Sequence, residues 1–209
     1  MVRRTAGRLV FWAAILFITS NVVVAAPLVI DRELVLEVRN YTRINPTTFL
    51  RAMDFVVRLF RQIGVSVTWF ENGNSSTRLP RLHLILLERE IPELREPGRM
   101  SLGAAPRTRE TPGCIAYVFD RPIDDTSRAY TVDKALVLAY AITHELAHLL
   151  LPAGHSTDGL MSAVWGRREM REAVWGILNF SVDESHLIRE GLPVLRKGPP
   201  RMASAAAGR

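Results

Sequence analysis

HELAHLLLPAGHSTDGLM, residues 144–161, is the stretch from which both the fold and the chemistry are read. Its first five residues, His144 to His148, match H-E-x-x-H, and they lie inside a run, ALVLAYAITHELAHLLL, that is apolar almost throughout. A helix apolar all round belongs in the middle of a domain, so the spacing predicts a central helix over 131–151, with Thr131 as N-cap. Leu151-Pro152 closes it, because a residue before proline avoids the helical region. Residues four apart on a helix sit one turn up the same face, so both imidazoles can reach one ion. Zinc (Zn2+) suits them, since it accepts nitrogen ligands in a tetrahedral site. Glu145 is adjacent to His144, near the ion without having to bind it. There it can take a proton from a metal-activated water and pass it to a leaving amine. Three polar side chains on an otherwise apolar helix need partners or a cavity, which sets this pattern apart from an ordinary solvated helix.

Two histidines and a water leave the tetrahedron one protein ligand short. His155 is the first choice, because the chain can turn back beneath the ion after Pro152 and Gly154. Asp158 in the same loop is an alternative. Glu169 is another, from a following helix, as in thermolysin-like peptidases. His83, on a strand, and His186, in the last helix, read as structural or solvated.

Outward from this segment, Leu34, Leu36 and Val38 alternate with Val35, Glu37 and Arg39 and predict a first strand. Asn45-Pro46 offers an N-cap and a proline at the first helical position. Phe49, Met53, Val56, Phe60 and Ile63 then form one apolar face, and Gly64 supplies the stop. Val65–Phe70 reads as a second strand, 71–76 as a loop, and Leu82–Leu87 as a central strand covered on both faces. Residues 90–113 carry prolines and glycines and read as irregular. Ile115–Phe119 reads as a further strand at an edge. Downstream, helices are expected over 168–178 and 182–190, the second opened by the capping box Ser181-x-x-Glu184. The expected class is α+β: a small mixed sheet packed on a long first helix and a central active-site helix, followed by C-terminal helices.

The same residues carry a resemblance. HELAHLLLPAGHSTDGLM looks like the active-site helix, third-ligand turn and Met-turn of the metzincin clan of zinc metallopeptidases. It is most similar to matrixin-like sequences with H-E-x-G-H-x-L-G-x-x-H-S followed by a methionine, and to small exported bacterial proteins with a tryptophan shortly after, here Trp165. The resemblance implies a zincin-type fold, zinc held by His144, His148 and His155, Glu145 as general base, and hydrolysis of peptide bonds, with endopeptidase action expected. It places the substrate-binding edge strand at Cys114, Ile115, Ala116 and Tyr117. It makes Met161 the Met-turn, a soft apolar floor beneath the ligands, although the same residue reads equally well as a core methionine. The metzincin spacing would put the third histidine at 154, where this chain has Gly154; His155 comes one residue later. A non-catalytic zinc-binding interaction domain on the same fold is the alternative from another class, favoured if Asp158 or Glu169 closed the site with a fourth ligand.

Composition bounds these readings. The 209 residues are 48% hydrophobic and 23% charged, which excludes intrinsic disorder, collagen-like repeats and a long coiled coil. One cysteine, Cys114, excludes an intrachain disulfide or a Cys-rich metal cluster; it reads as an inert buried thiol or, less directly, an inhibitory zinc ligand. Of the net charge of +6, half is carried by Arg3, Arg4 and Arg8 in the first 26 residues, which contain no acid. The remaining arginines are scattered among acids, so no nucleic-acid partner is expected. Residues 1–26, a positive start, the apolar run LVFWAAILFI and small residues at Ala25 and Ala26, read as a signal peptide or N-terminal anchor. The expected protein is therefore exported: periplasmic, extracellular or held at a membrane through that segment alone. It is a monomer acting on peptide or protein substrates, with a peptidase domain over 27–196 and a tail over 197–209.

Overall fold

A computed structural model of the chain describes residues 32–71, 81–94, 101–106, 113–152 and 154–196. The expected export segment, the 71–76 loop beyond Glu71, and the 197–209 tail lie outside the described residues.

Nine residues, apolar at 34–36 and 38, form the strand β1 (Arg32–Asn40), buried from Leu34 to Val38. Asn45 caps the next helix as its composition demands: its side chain accepts from Thr47 N at 2.8 Å, and Pro46 takes the first helical position of α1 (Pro46–Gln62). Phe49, Met53, Val56 and Phe60 form the buried face, joined by Ala52 and Leu59. Gly64, at φ 77°, turns the chain into β2 (Val65–Glu71), a backbone angle that favours glycine. β2 pairs parallel to one edge of β1, and β3 (Arg81–Leu87) pairs parallel to the other. β3 is central, as its apolar run implied, but it is not covered on both faces. Leu82, Leu84 and Leu86 are buried against the helices, whereas His83, Ile85 and Leu87 on the opposite face are only half-buried.

Two expectations fail around residue 120. β5 (Ile115–Phe119) pairs parallel to β3 and is not an edge, because β4 (Gly103–Ala104) adds antiparallel on its far side, with Ala104 opposite Tyr117 and Gly103 opposite Val118. Among the described residues the sheet order is β2-β1-β3-β5-β4, mixed as expected, with the two-residue β4 as the edge near the helix that carries His144 and His148. A stretch anticipated as irregular therefore supplies a strand, since pairing with β5, not local pattern, creates it. Directly after β5 comes the helix α2 (Asp120–Tyr130), which had no counterpart in the expectation. Thr131 is accordingly not an N-cap: it ends α2 in the left-handed region at φ 54°. The cap of the central helix α3 (Lys134–Leu150) is Asp133, whose side chain accepts from Ala135 N at 2.9 Å.

α3 crosses the buried face of the sheet against α1, α2 and β5. All its residues are buried except Lys134, Leu136 and His148. Leu151, extended at ψ 147° before Pro152, terminates it. The last helices are α4 (Arg167–Val174), which stops before residue 178, and α5 (Val182–Arg196), which continues past residue 190. The capping box of α5 is present: Glu184 Oε2 accepts from Ser181 N at 2.8 Å, and Ser181 Oγ accepts from Glu184 N at 3.2 Å. Among the described residues no helix is long and apolar enough to cross a membrane.

Candidate metal centre

The helical spacing of His144 and His148 does what it must. Their Nε2 atoms lie 3.0 Å apart, on rings set nearly at right angles. His155, carried on the loop after α3, brings its own Nε2 to 3.1 Å from that of His148. Gly154, at φ 52°, turns the chain so that the imidazole faces back to the helix. The extra residue in the turn thus still delivers the third histidine. Together these three side chains form a group whose donor atoms all lie within 4.8 Å of one another.

One contact fixes the tautomer of His144. His144 Nδ1 lies 2.8 Å from the carbonyl oxygen of Leu160, and a carbonyl only accepts, so the proton sits on Nδ1. Nε2 therefore presents a lone pair towards the other two rings. Burial lowers the His144 pKa to about 4, which keeps that ring neutral at ordinary pH. The Nε2 atoms of His148 and His155 complete a cluster of ring nitrogens 3.0–3.1 Å apart, close enough to share one cation. Tetrahedral zinc with Zn–N bonds near 2.0–2.1 Å sets its nitrogens about 3.3 Å apart. The donor set, spacing and tautomer all fit zinc.

The turn beneath the rings is built from the downstream half of the sequence. Gly159, at φ 74°, has no space for a side chain without pressing on Asn179 O, and Leu160 N donates to that same carbonyl at 3.1 Å. Ser156 N donates to Met161 O at 2.9 Å, closing the loop on itself. Met161 is fully buried, as either reading of it required. Trp165 stands edge-on to the His144 ring, centroids 5.4 Å apart, and its Nε1 donates to Leu160 O at 3.3 Å. The carbonyl that orients His144 is therefore itself held in place.

Glu145 is buried, at 7% exposure, and burial raises its pKa to about 8. The edge strand presses on it. A β-carbon on Gly103 would meet Glu145 Cγ at 2.5 Å and Cδ at 2.8 Å, as well as Tyr117 O at 2.6 Å. Only glycine lets β4 approach this closely. Gly103 was passed over in the sequence, where a lone glycine between Leu102 and Ala104 was the available sign of close backbone approach.

The other candidates fall elsewhere. Glu169 caps α4, its Oε2 accepting from Gly166 N at 2.8 Å, and Asp158 sits exposed in the loop. Neither belongs to the group of donors that can share an ion among the described residues. Cys114 is exposed, not buried, and is likewise outside that group. Ile115, Ala116 and Tyr117 lie one strand in from the edge, with Tyr117 covered by Ala104. His83 contacts Glu37 across the sheet at 3.6 Å, and His186 lies 3.5 Å from Glu190 on the exposed side of α5, the structural and solvated roles expected of them.

No protein-family model and no curated protein matches this sequence. Among solved structures, archaemetzincin from Methanopyrus kandleri is similar, at 19% identity and a TM-score of 0.51, over 77% of this chain and 96% of that one. At that identity the likeness speaks for architecture: the chain has an archaemetzincin-like α+β fold.

Proposed function

We propose that this chain is a zinc-dependent peptidase, with His144, His148 and His155 as the metal ligands and Glu145 as general base. The observation that carries the reading is the convergence of three imidazole nitrogens, with a tautomer fixed by Leu160 O, beside a buried carboxylate that is not one of the converging donors. Likeness to a solved archaemetzincin supports it. Zinc held there supplies Lewis acidity towards a carbonyl and activation of a water near neutral pH.

The chain's own residues do the rest. Helix α3 fixes two rings, and the loop from 154 to 161 brings the third. Glu145 removes a proton from the attacking water and delivers it to the departing amine nitrogen. An extended peptide would pair with the outer edge of β4 as an added strand. Residues 1–26 would deliver the enzyme out of the cytosol, in keeping with the arginines and apolar run at its start.

Among the described residues three donors converge without a fourth; zinc held by them would keep a coordination position for substrate, which favours catalysis over a closed structural site. The test is Glu145→Gln. Zinc content should stay at one per chain while hydrolysis of a quenched-fluorescence peptide library is abolished. Wild-type hydrolysis by that variant would sink the mechanism.

A further inference from the structure

Two of the three proposed ligands are placed by the pitch of a buried helix, but His155 is exposed and sits on a loop. What holds that loop is found on α5. Ser156, next to His155, donates its Oγ to Glu184 Oε1. The other oxygen of the same carboxylate, Oε2, accepts from Ser181 N at the start of α5. Glu184 is buried, at 9% exposure, so its carboxylate has little alternative in solvent. A second tie runs parallel to it: Leu160 N donates to Asn179 O at 3.1 Å, so both ends of the 156–161 turn are fastened to the segment that opens α5.

The geometry assigns Glu184 as a positioning residue for the third metal ligand, acting through Ser156. The assignment rests on the metal-centre reading above. A capping box needs only one oxygen of its glutamate; here the second oxygen is spent on the ligand loop, 28 residues away in sequence. Fixing the loop before the metal arrives lowers the ordering cost of binding. Partners of this kind, one step removed from the ion, change metal affinity by about 10- to 100-fold when lost.

The experiment uses the full chain and compares Ser156→Ala, Ser156→Thr and Ser181→Ala. Zinc affinity is read by competition with a chromophoric chelator, and the stability of each metal-free protein by thermal melting. Ser156→Ala should bind zinc about 10- to 100-fold more weakly while its metal-free melt stays near wild type. Ser156→Thr, which keeps the hydroxyl, should restore affinity. Ser181→Ala removes the acceptor for Glu184 N but leaves the Ser156–Glu184 bond, so it should lower the metal-free melt and leave zinc affinity within about 2-fold. Unchanged affinity in Ser156→Ala, or equal losses in affinity for Ser156→Ala and Ser181→Ala, would overturn the assignment and leave the metal centre standing. A wild-type protein that binds no zinc would overturn both.

Discussion

Gly103→Ala tests the contact between the edge strand and the proposed base. The added carbon would stand 2.5 Å from Glu145 Cγ and 2.6 Å from Tyr117 O. Carbon–carbon contact is comfortable at about 3.5–4.0 Å, so roughly 1 Å of separation must be found. Tyr117 O belongs to the backbone of β5 and cannot turn away as a side chain can. Either β4 lifts from the sheet or the Glu145 carboxylate shifts. A misplacement of about 1 Å costs on the order of 100-fold in rate, or about 2.7 kcal/mol of transition-state stabilisation. Overpacking adds about 1–3 kcal/mol of lost stability. The histidines are not touched, so zinc content should hold. The assay is kcat/KM on a cleaved reporter peptide, beside zinc content and a thermal melt. Wild-type kcat/KM and melt in Gly103→Ala would refute the close approach; loss of zinc in step with activity would move the fault from the base to the ligands.

Three further outcomes are expected. His155→Ala should lose zinc on dialysis, whereas Glu169→Ala should keep it and lose only about 1 kcal/mol, its cap of α4, by chemical denaturation. Zinc added at 1,000 times its Kd should stabilise the metal-free chain by about 4 kcal/mol, read as a rise in Tm that chelator reverses and that His144→Ala lacks. Burial raises the Tyr140 phenol to about 12; a folded-state pKa above the unfolded value contributes stability that is intact below pH about 10 and lost as pH rises from there towards 12. Tyr140→Phe should flatten that alkaline loss in denaturation midpoints measured across the range, and an unchanged slope would refute the assignment.

The central helix was legible because helical pitch alone puts His144 and His148 on one face, and because an apolar helix bearing them has to be central. Asn45-Pro46, Gly64, Leu151-Pro152 and Ser181-x-x-Glu184 were legible for a related reason: each is a local stop or start whose chemistry needs no distant partner. α2 was not. It is short and polar, and it begins at Asp120 directly after β5 with no intervening turn, so its Asp-Arg-Pro start reads as a loop. Thr131 misled because a threonine beside a helix suggests a cap, and β-branched residues seldom take the left-handed conformation found here. β4 has two residues and no pattern; it exists only through pairing with Tyr117 and Val118. For the same reason the sheet edge was expected at β5, one strand further in than β4. The second bond of Glu184 links residues that local spacing cannot connect.

The division between a helix that carries two donors and a loop that carries the third has a consequence for variation. An insertion or deletion between 148 and 155 leaves the spacing of the first pair untouched, because α3 alone sets it. Only the reach of the last donor changes, and glycine at 154 gives the turn the freedom to absorb a residue. The length of this connection is therefore a dial on which natural drift or an engineer can act, changing where the third imidazole stands without rebuilding the core around it.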